Sequence, residues 1–218
     1  LNRKLESFTA EQPSGVVVKL TAFFDLPDVQ SKHQVSYTVL GSGDIIVESG
    51  IQIRGKDLPE LPRFGMRLRL PEAFERIEWY GRGPQENYCD RYTSAFVGRY
   101  KSTVREQFVP YVSPQENGYK TDVRWVAISK NDGIGLEFIG MDLLGMSALR
   151  YSIEDMTLKE RGTAHPVDLV ERDFVELNVD LKQMGVGGDD SWGARPHPEY
   201  TLPARNYSYR FRVRPLAR

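Results

Sequence analysis

The sequence predicts an all-β fold, arranged as one large antiparallel β-sandwich that spans residues 1–218 as a single domain. Three observations support this prediction. Apolar and polar residues alternate with a period of two in many segments, glycine-containing turns separate neighbouring segments, and only one short stretch has a helical pattern. The chain is long enough for a sizeable core, and neither a linker nor a repeat divides it.

The strand predictions follow the alternation along the chain. In residues 207–213 aromatic and apolar side chains alternate with serine and arginine, and this arginine row would oppose aggregation if the strand lay at a sheet edge. Residues 175–181 place apolar side chains on one face and polar ones on the other, which we expect to be solvated. The other predicted strands are residues 16–24, 35–40, 44–53, 66–70, 74–80, 123–129 and 134–139.

Turn and helix signals complete the element predictions. The stretches GSGD at residues 41–44 and NDG at residues 131–133 are typical of β-hairpins. One short helix is predicted at residues 152–160, where a serine N-cap is followed three residues later by an aspartate. Trp79 and Trp125 lie within strand patterns and are predicted to belong to the core.

Composition excludes several classes of partner and site. The net charge is −1 and the arginines are scattered among acids, so neither nucleic acid nor an anionic membrane is an expected partner. Cys89 is the only cysteine, which excludes an internal disulfide and a cysteine-based zinc site and predicts an inert apolar residue. No apolar run approaches the ~18 residues of a membrane span.

The N-terminus gives little information on targeting. It lacks the apolar stretch of a signal peptide, so none is predicted here. The chain begins at Leu1, which favours a fragment of a longer protein whose targeting signals lie elsewhere. Localisation therefore stays open between cytoplasm and periplasm.

Histidine and cysteine chemistry has little support in the sequence. His33 lies in a polar stretch, while His165 and His197 each precede a proline, which favours extended loop positions. No two histidines have the i, i+4 spacing of a helical zinc motif, so we predict no metal site. A GxSxG elbow, a P-loop and a GxGxxG after a strand are all absent from the sequence, which disfavours acyl transfer and nucleotide chemistry.

Two carboxylates occur in a repeated Gln-Glu-Asn triplet, at residues 85–87 and 115–117. Glycoside hydrolysis uses two carboxylates that flank a sugar, so Glu86 and Glu116 are candidates for that chemistry. The interpretation that we favour is structural. After a proline, side chains such as those of Glu86, Asn87, Glu116 and Asn117 bond nearby backbone groups and shape tight loops.

The loop at residues 184–192, MGVGGDDSW, combines three glycines, two aspartates and a tryptophan. The glycines give the backbone access to positive φ, and Asp189 and Asp190 are expected to bond the loop amides. Trp192 either plugs the core beneath the loop or presents its indole as a flat surface for the C–H face of a sugar. The residues alone leave these two alternatives open.

Three loops resemble a known family. Residues 79–88, WYGRGPQENY, followed by Asp90 and Arg91, resemble the W-x-G-x-G-P-x-E-N-Y-x-D-R stretch in the C-terminal domain of large LacZ-type β-galactosidases. Residues 111–118, YVSPQENG, resemble that domain's Y-V-x-P-x-E-N-G loop, and residues 185–192, GVGGDDSW, resemble its G-x-G-G-D-D-S-W loop. The matches occur in family order and, with the preceding strands, extend over nearly the whole chain.

The resemblance implies a fold and an activity. The domain in that family, called the small chain where the enzyme is split, is an antiparallel supersandwich of the galactose mutarotase-like type. The family enzymes belong to glycoside hydrolase family 2 and hydrolyse terminal β-D-galactosides such as lactose with retention of configuration. Their two catalytic glutamates and their magnesium and sodium ions lie mainly in a separate (β/α)₈ barrel, which needs ~200 or more residues and an alternating βα pattern that this chain lacks.

The resemblance also implies what this chain contributes. Trp192 would stack on the sugar, while Gly187, Gly188, Asp189 and Asp190 would shape the loop that carries it, and no catalytic or metal-binding residue is expected here. The expected partners are the galactoside substrate and the barrel and sandwich domains outside this chain. Formation of a homo-oligomer stays open.

Two rival functions remain. An aldose 1-epimerase of the same fold class would need a histidine acid and a carboxylate base in one cleft, for which His165 or His197 with Glu116 are the available candidates. A stand-alone carbohydrate-binding module would need several exposed aromatic side chains that converge on a groove.

Overall fold

A computed structural model describes residues 2–113, 115–157, 165–190 and 192–217. In these residues the chain forms strands and one short helix, together with a few single 3₁₀ turns. In chain order the strands are β1 (Lys4–Ser14), β2 (Val17–Leu26), β3 (Ser31–Leu40), β4 (Ile45–Gln52), β5 (Arg63–Pro71), β6 (Arg76–Gly83), β7 (Phe96–Thr103), β8 (Lys120–Ser129), β9 (Gly135–Leu149), β10 (Phe174–Gln183) and β11 (Tyr207–Leu216). The helix α1 (Ile153–Thr157) lies between β9 and β10.

The strands form one hydrogen-bonded sheet in the order β1-β2-β3-β4-β11-β9-β8-β6-β7, and β10 pairs with both β9 and β5. Every pairing among the described strands is antiparallel. The long strand β9 joins two layers, because its first half pairs with β11 and its second half pairs with β10. Phe64 of β5 packs edge-on against Tyr209 of β11, with 5.7 Å between the ring centroids, so β5 and β10 lie over the β11 layer. This arrangement confirms the predicted antiparallel sandwich.

The core lies between the layers. It contains the apolar faces of the predicted strands, including Val35 and Val47 from one layer and Leu177 and Val179 from the other. Trp79 is buried, as predicted, and its indole Nε1 donates to the backbone oxygen of Arg82 at 3.0 Å. The same prediction for Trp125 was wrong. Its ring is half-buried on the opposite face of β8, where the Arg99 guanidinium lies 5.4 Å from the ring centroid.

The nine predicted strands all fall on observed strands, whereas β1 and β7 were not predicted. Both lie at the two ends of the main strand order, and every residue of β1 is exposed. A strand without a buried face has no reason to alternate, so the period-two signal is missing from β1, and in β7 no residue is fully buried. By contrast, β11 lies between β4 and β9, so its arginine row does not protect a sheet edge.

The polar face of β10 differs from the prediction. Glu176, Asn178 and Asp180 are all buried, and Asp180 is only 1% exposed. Side chains of the two paired strands lie over this face instead of leaving it to solvent. Arg63, Arg67 and Arg69 of β5 contact its carboxylates, and Ser147 Oγ of β9 accepts from the Asn178 amide. The alternation therefore predicts correctly which side chains share a face of β10, but it does not show that the polar face is solvated.

The predicted helix is present in part. The helix α1 covers Ile153–Thr157, and the rest of the predicted stretch lies outside the described residues. The backbone amide of Asp155 donates to Ser152 Oγ at 3.1 Å, and the amide of Ser152 donates back to the Asp155 carboxylate at 2.9 Å. This reciprocal pair is the capping arrangement that the sequence predicts, with aspartate in place of the usual glutamate.

Candidate functional site

The tryptophan loop, residues 184–192, leaves the end of β10 and carries the most exposed large aromatic side chain in the described chain. Trp192 is 95% exposed. A large indole in water leaves a broad apolar area unburied, so the plug alternative is incompatible with this position. The structure places Trp192 on the surface.

The base of the tryptophan loop is tied to the sandwich through its backbone. The amide of Met184 donates to the Pro62 oxygen at 3.0 Å, and the amide of Gly185 donates to the Tyr200 oxygen at 2.7 Å. The amide of Gly187 donates to Asp90 Oδ2 at 2.7 Å. Asp90 follows β6 and lies ninety-seven positions earlier in the sequence, so this bond joins two distant loops.

The glycines permit close approach rather than positive φ. Among the described residues, positive φ in this region occurs at Gly193, not at the three loop glycines. A Cβ on Gly185 would lie 2.5 Å from Asp90 Oδ2, and one on Gly188 would lie 2.2 Å from the Ala194 oxygen. Substitution of either glycine would push the loop away from the groups that hold it.

The two loop aspartates have different partners. Asp190 Oδ1 accepts from the amides of Trp192 at 2.7 Å and Ala194 at 3.3 Å, so its carboxylate holds the backbone at the indole. Asp189 faces the ring of His197 instead, with 2.9 Å between Oδ1 and Nε2. Asp190 therefore holds the backbone at Trp192, while the indole itself is 95% exposed.

Glu86 connects the two Gln-Glu-Asn loops. One carboxylate oxygen accepts from the Gly118 amide at 2.8 Å, and the other contacts the Arg91 guanidinium and the Tyr111 hydroxyl. Asn87 Oδ1 accepts from the amide of Thr121 at 2.9 Å. Glu86 thus bonds a backbone group of the second loop, and Asn87 bonds one at the start of β8.

The side chains of the second triplet, residues 115–117, also bond groups of neighbouring segments. The Asn117 amide group bonds both the N–H and the oxygen of Val109, at 2.8 and 2.7 Å. Glu116 accepts from Arg63 Nη2 at 2.6 Å. Because Glu86 and Glu116 are each engaged with an arginine, they do not form a pair of free carboxylates that flank a ligand.

Beneath these loops lies a buried charged group that the sequence did not indicate, the Asp180 cluster, formed by Arg63, Glu116, Tyr119, Asp180 and Gln183. Arg63 Nη2 donates to Gln183 Oε1 at 2.8 Å as well as to Glu116, and Arg63 Nε lies 3.7 Å from Asp180 Oδ2. Burial raises the pKa of the Asp180 carboxyl to about 7, against the opposing effect of the Arg63 guanidinium. Gln183 ends β10, so the cluster lies directly before the tryptophan loop.

The remaining nucleophile and acid–base candidates are separated from one another. His165 Nδ1 lies 2.7 Å from the Val112 oxygen, while His197 faces Asp189 and Glu116 faces Arg63. His33 lies against Ser49 on another part of the sheet. Burial raises the pKa of the Cys89 thiol, which disfavours its reactive thiolate form.

The bond between Asp90 and Gly187 gives a testable prediction. A hydrogen bond to a carboxylate contributes about 1.5–3 kcal/mol, so Asp90→Ala should raise the amide exchange rate of Gly187 by at least about tenfold. Amide hydrogen exchange of the chain, followed by NMR, measures this rate. Asp189→Ala is the control, because Asp189 faces an exposed imidazole and should change the rate by less than about threefold. Equal exchange in Asp90→Ala and the unaltered chain would contradict the anchoring role.

Within the described residues, no three or more His, Cys, Asp or Glu side chains are grouped in a way that could hold a metal ion. No described helix is long and apolar enough to cross a membrane. The candidate site is an exposed indole on a loop tied to a polar, internally bonded base.

Known proteins similar to this chain are galactosidases and related sugar enzymes. A β-galactosidase of Priestia megaterium (strain DSM 319 / IMG 1521) is 39% identical over 206 residues, which cover 94% of this chain and 19% of that protein. The chain thus spans about a fifth of the length of this relative.

Two solved structures show likeness at low sequence identity. The galactosidase domain of the alpha-galactosidase–sucrose kinase AgaSK aligns with a TM-score of 0.53 and 7% identity, covering 98% of this chain and 27% of that one. The galactose 1-epimerase from Lactobacillus acidophilus NCFM aligns with a TM-score of 0.46 and 7% identity, covering 95% and 65%. The AgaSK domain and this chain share a fold.

The family assignment rests on the match across the chain. The family model of the beta galactosidase small chain matches residues 2–213, which include all three of the loops described above. The chain therefore belongs to the beta-galactosidase small chain family.

Proposed function

We propose that this chain is the C-terminal small-chain domain of a retaining β-galactosidase that hydrolyses terminal β-D-galactosides. In this proposal the chain supplies Trp192 to an active site whose nucleophile and acid are in a separate barrel domain. The observation that carries it is the 95% exposure of an indole on a loop whose backbone is bonded to the sandwich. An exposed aromatic ring on a fixed loop is expected where a ligand or a neighbouring domain completes the contact.

The chemistry of the indole suits a galactoside. A pyranose ring presents a patch of C–H groups on one face, and the flat, electron-rich face of an indole packs against such a patch. Asp190 and Asp90 hold the backbone on both sides, so less conformational entropy would be lost when sugar binds. The loop thus favours orientation of a substrate rather than proton transfer to it.

The catalytic groups and ions belong, in this proposal, to the rest of the enzyme. The matched relative is about five times longer than this chain, which leaves room for barrel and sandwich domains. The carboxylates of Glu86 and Glu116 are occupied by arginines, and the described residues do not offer the donor set that magnesium requires. We therefore assign no step of hydrolysis to a group in this chain.

The rival functions have less support. An epimerase acid and base would have to share a cleft, but His165, His197 and Glu116 each face a different partner. A binding module that uses Trp192 would need further exposed aromatics beside it. The proposed enzyme role requires only the one indole.

The experiment compares three proteins with o-nitrophenyl β-D-galactoside: the complete galactosidase that carries this chain, the same enzyme without the chain, and the chain alone. We expect turnover only from the complete enzyme, with β-galactose as the first product detected by NMR because the configuration is retained. Turnover by the chain alone, or first release of α-galactose, would contradict the proposal. Conversion between galactose anomers by the chain alone would favour the epimerase.

A further inference from the structure

A polar groove lies on the face of the sheet that points away from the core, across β2, β3, β4 and β11. Its volume is about 880 Å³, within the range of roughly 300–1,000 Å³ that is typical of small-molecule sites. None of the residues of the tryptophan loop lines it among those described. The groove is therefore a separate feature from the site discussed above.

The strand register shows which side chains share the groove. Phe23, Gln34, Gly50 and Ser208 are direct cross-strand neighbours, so they form one row across the four strands. The residues one position away in each strand, Ala22, Val35, Ser49 and Tyr209, form a row on the other face and are buried in the sandwich. The register thus separates a polar outer row from a mainly apolar core row.

A second outer row lies beside the first. It runs through Thr21, Ser36, Glu48 and Arg210. Ser36 is only 2% exposed, and its hydroxyl lies 3.2 Å from that of Thr21, so this part of the row forms the floor. Arg210 Nη1 lies 3.6 Å from Glu48 Oε1, and these two long side chains lie beside the floor. Small residues on the floor and long polar residues beside them give the groove its depth.

The charges of the groove nearly balance. Glu48 is paired with Arg210, and Lys32 is paired with Glu6 and Asp25. The lining also holds Lys19, Arg54 and Asp142, so four lysines and arginines face three acids, and the groove has no strong field of either sign to attract a phosphate or a cation. It instead offers many hydrogen-bond donors and acceptors to an uncharged ligand.

One aromatic side chain of the outer rows completes the surface. Phe23 ends the first row and is 40% exposed, next to Gln34. A ring beside amide, hydroxyl and carboxylate groups matches a molecule that has both C–H faces and many hydroxyls. A protein partner would need an apolar centre, which the outer rows lack apart from Phe23.

The geometry points to this groove as a binding site for a neutral oligosaccharide, with Phe23 stacked on a sugar face and Gln34, Ser208, Glu48 and Arg210 bonding its hydroxyls. The two rows extend across four strands, which at about 4.8 Å between strands suits a chain of linked sugars better than one ring. This assignment goes beyond the proposed function and does not depend on Trp192.

The test titrates the 218-residue chain with lactose and follows backbone amide signals by NMR. We expect saturable shifts at Phe23, Gln34, Gly50 and Ser208, and the same shifts in Trp192→Ala. Gly50→Leu should weaken binding by about tenfold or more, because a Cβ there meets only ordinary contacts, at 3.6 Å from Ser208 Cβ and the Tyr207 oxygen, and the rest of the side chain fills the groove. Gly15→Leu is the matched control, since nothing lies within 4 Å of its Cβ.

Gln34 is exposed, so Gln34→Ala removes an amide group from the groove without filling its floor. This variant should also weaken binding. Shifts confined to residues 184–192, or equal weakening by Gly15→Leu, would overturn the assignment. So would the absence of any saturable shift, or equal shifts with glycerol, which has hydroxyls but no sugar ring.

Discussion

Replacement of Trp192 by alanine in the complete galactosidase is expected to lower kcat/KM for a β-galactoside by about 10- to 100-fold. In the proposed role the indole packs against the C–H face of the sugar, and a 10- to 100-fold loss corresponds to about 1.4–2.7 kcal/mol of transition-state stabilisation. Trp192 is 95% exposed in this chain and packs against nothing that its removal would disturb. The free energy of unfolding should therefore change by less than about 0.5 kcal/mol.

Two further variants distinguish the loss of stacking at Trp192 from a general loss of activity. Phe96→Ala removes another exposed aromatic, 74% exposed on β7, and should leave kcat/KM unchanged within about twofold. Trp192→Phe keeps a smaller flat ring and should retain an intermediate activity. Equal activity in Trp192→Ala and the unaltered enzyme would contradict the proposed role of the indole.

The strands and turns could be predicted because each of them depends on a short stretch of sequence. Alternation in residues 207–213 and 175–181 predicts β11 and β10, and the glycine turns predict two hairpins. The exposure of Trp192 was one of two open alternatives, since composition shows a loop but not what packs beneath it. The structure decides between them. Asp90 and Asp190 accept hydrogen bonds from backbone amides of the loop, and the indole is exposed to solvent.

The Asp180 cluster could not be predicted, because it depends on contacts between distant parts of the chain. Arg63, Glu116 and Asp180 lie on β5, a loop and β10, and only the completed sandwich brings them together. Asp180 also occupies a position that alternation assigns to a wet face. That face is buried because side chains of β5 and β9 lie over it, and the pattern of a single strand carries no information about these neighbours.

Asp180→Asn is expected to change the pH dependence of the chain's stability by several kcal/mol. The pKa of Asp180 is raised from 3.8 to about 7 in the folded chain, chiefly by burial. Between these values the folded chain holds a proton that the unfolded chain has released, so the contribution of Asp180 to stability falls as pH rises through this window. One pKa unit corresponds to about 1.4 kcal/mol, so the full fall is about 4 kcal/mol.

The measurement is the free energy of unfolding from urea denaturation at a pH of about 5 and of about 8. Asparagine cannot ionise, so the free energy of unfolding of Asp180→Asn minus that of the unaltered chain should increase by about 3 kcal/mol from the lower pH to the higher. Asp142→Asn removes an exposed carboxylate and controls for the change in net charge. Its free energy of unfolding should change between the two pH values by the same amount as that of the unaltered chain.

The opposite result would have a clear physical meaning. The Arg63 guanidinium lies 3.7 Å from the Asp180 carboxylate and favours its charged form, whereas burial favours the neutral form. If the curves of Asp180→Asn and the unaltered chain stayed parallel between the two pH values, the ion pair would outweigh burial, and Asp180 would be charged throughout. Arg63→Met would then destabilise the chain by about 3–5 kcal/mol at the higher pH, because it would leave a buried carboxylate without its partner. Whether the two curves of unfolding free energy against pH are parallel therefore decides whether the ion pair or burial governs Asp180 at the buried end of β10, from which the tryptophan loop begins.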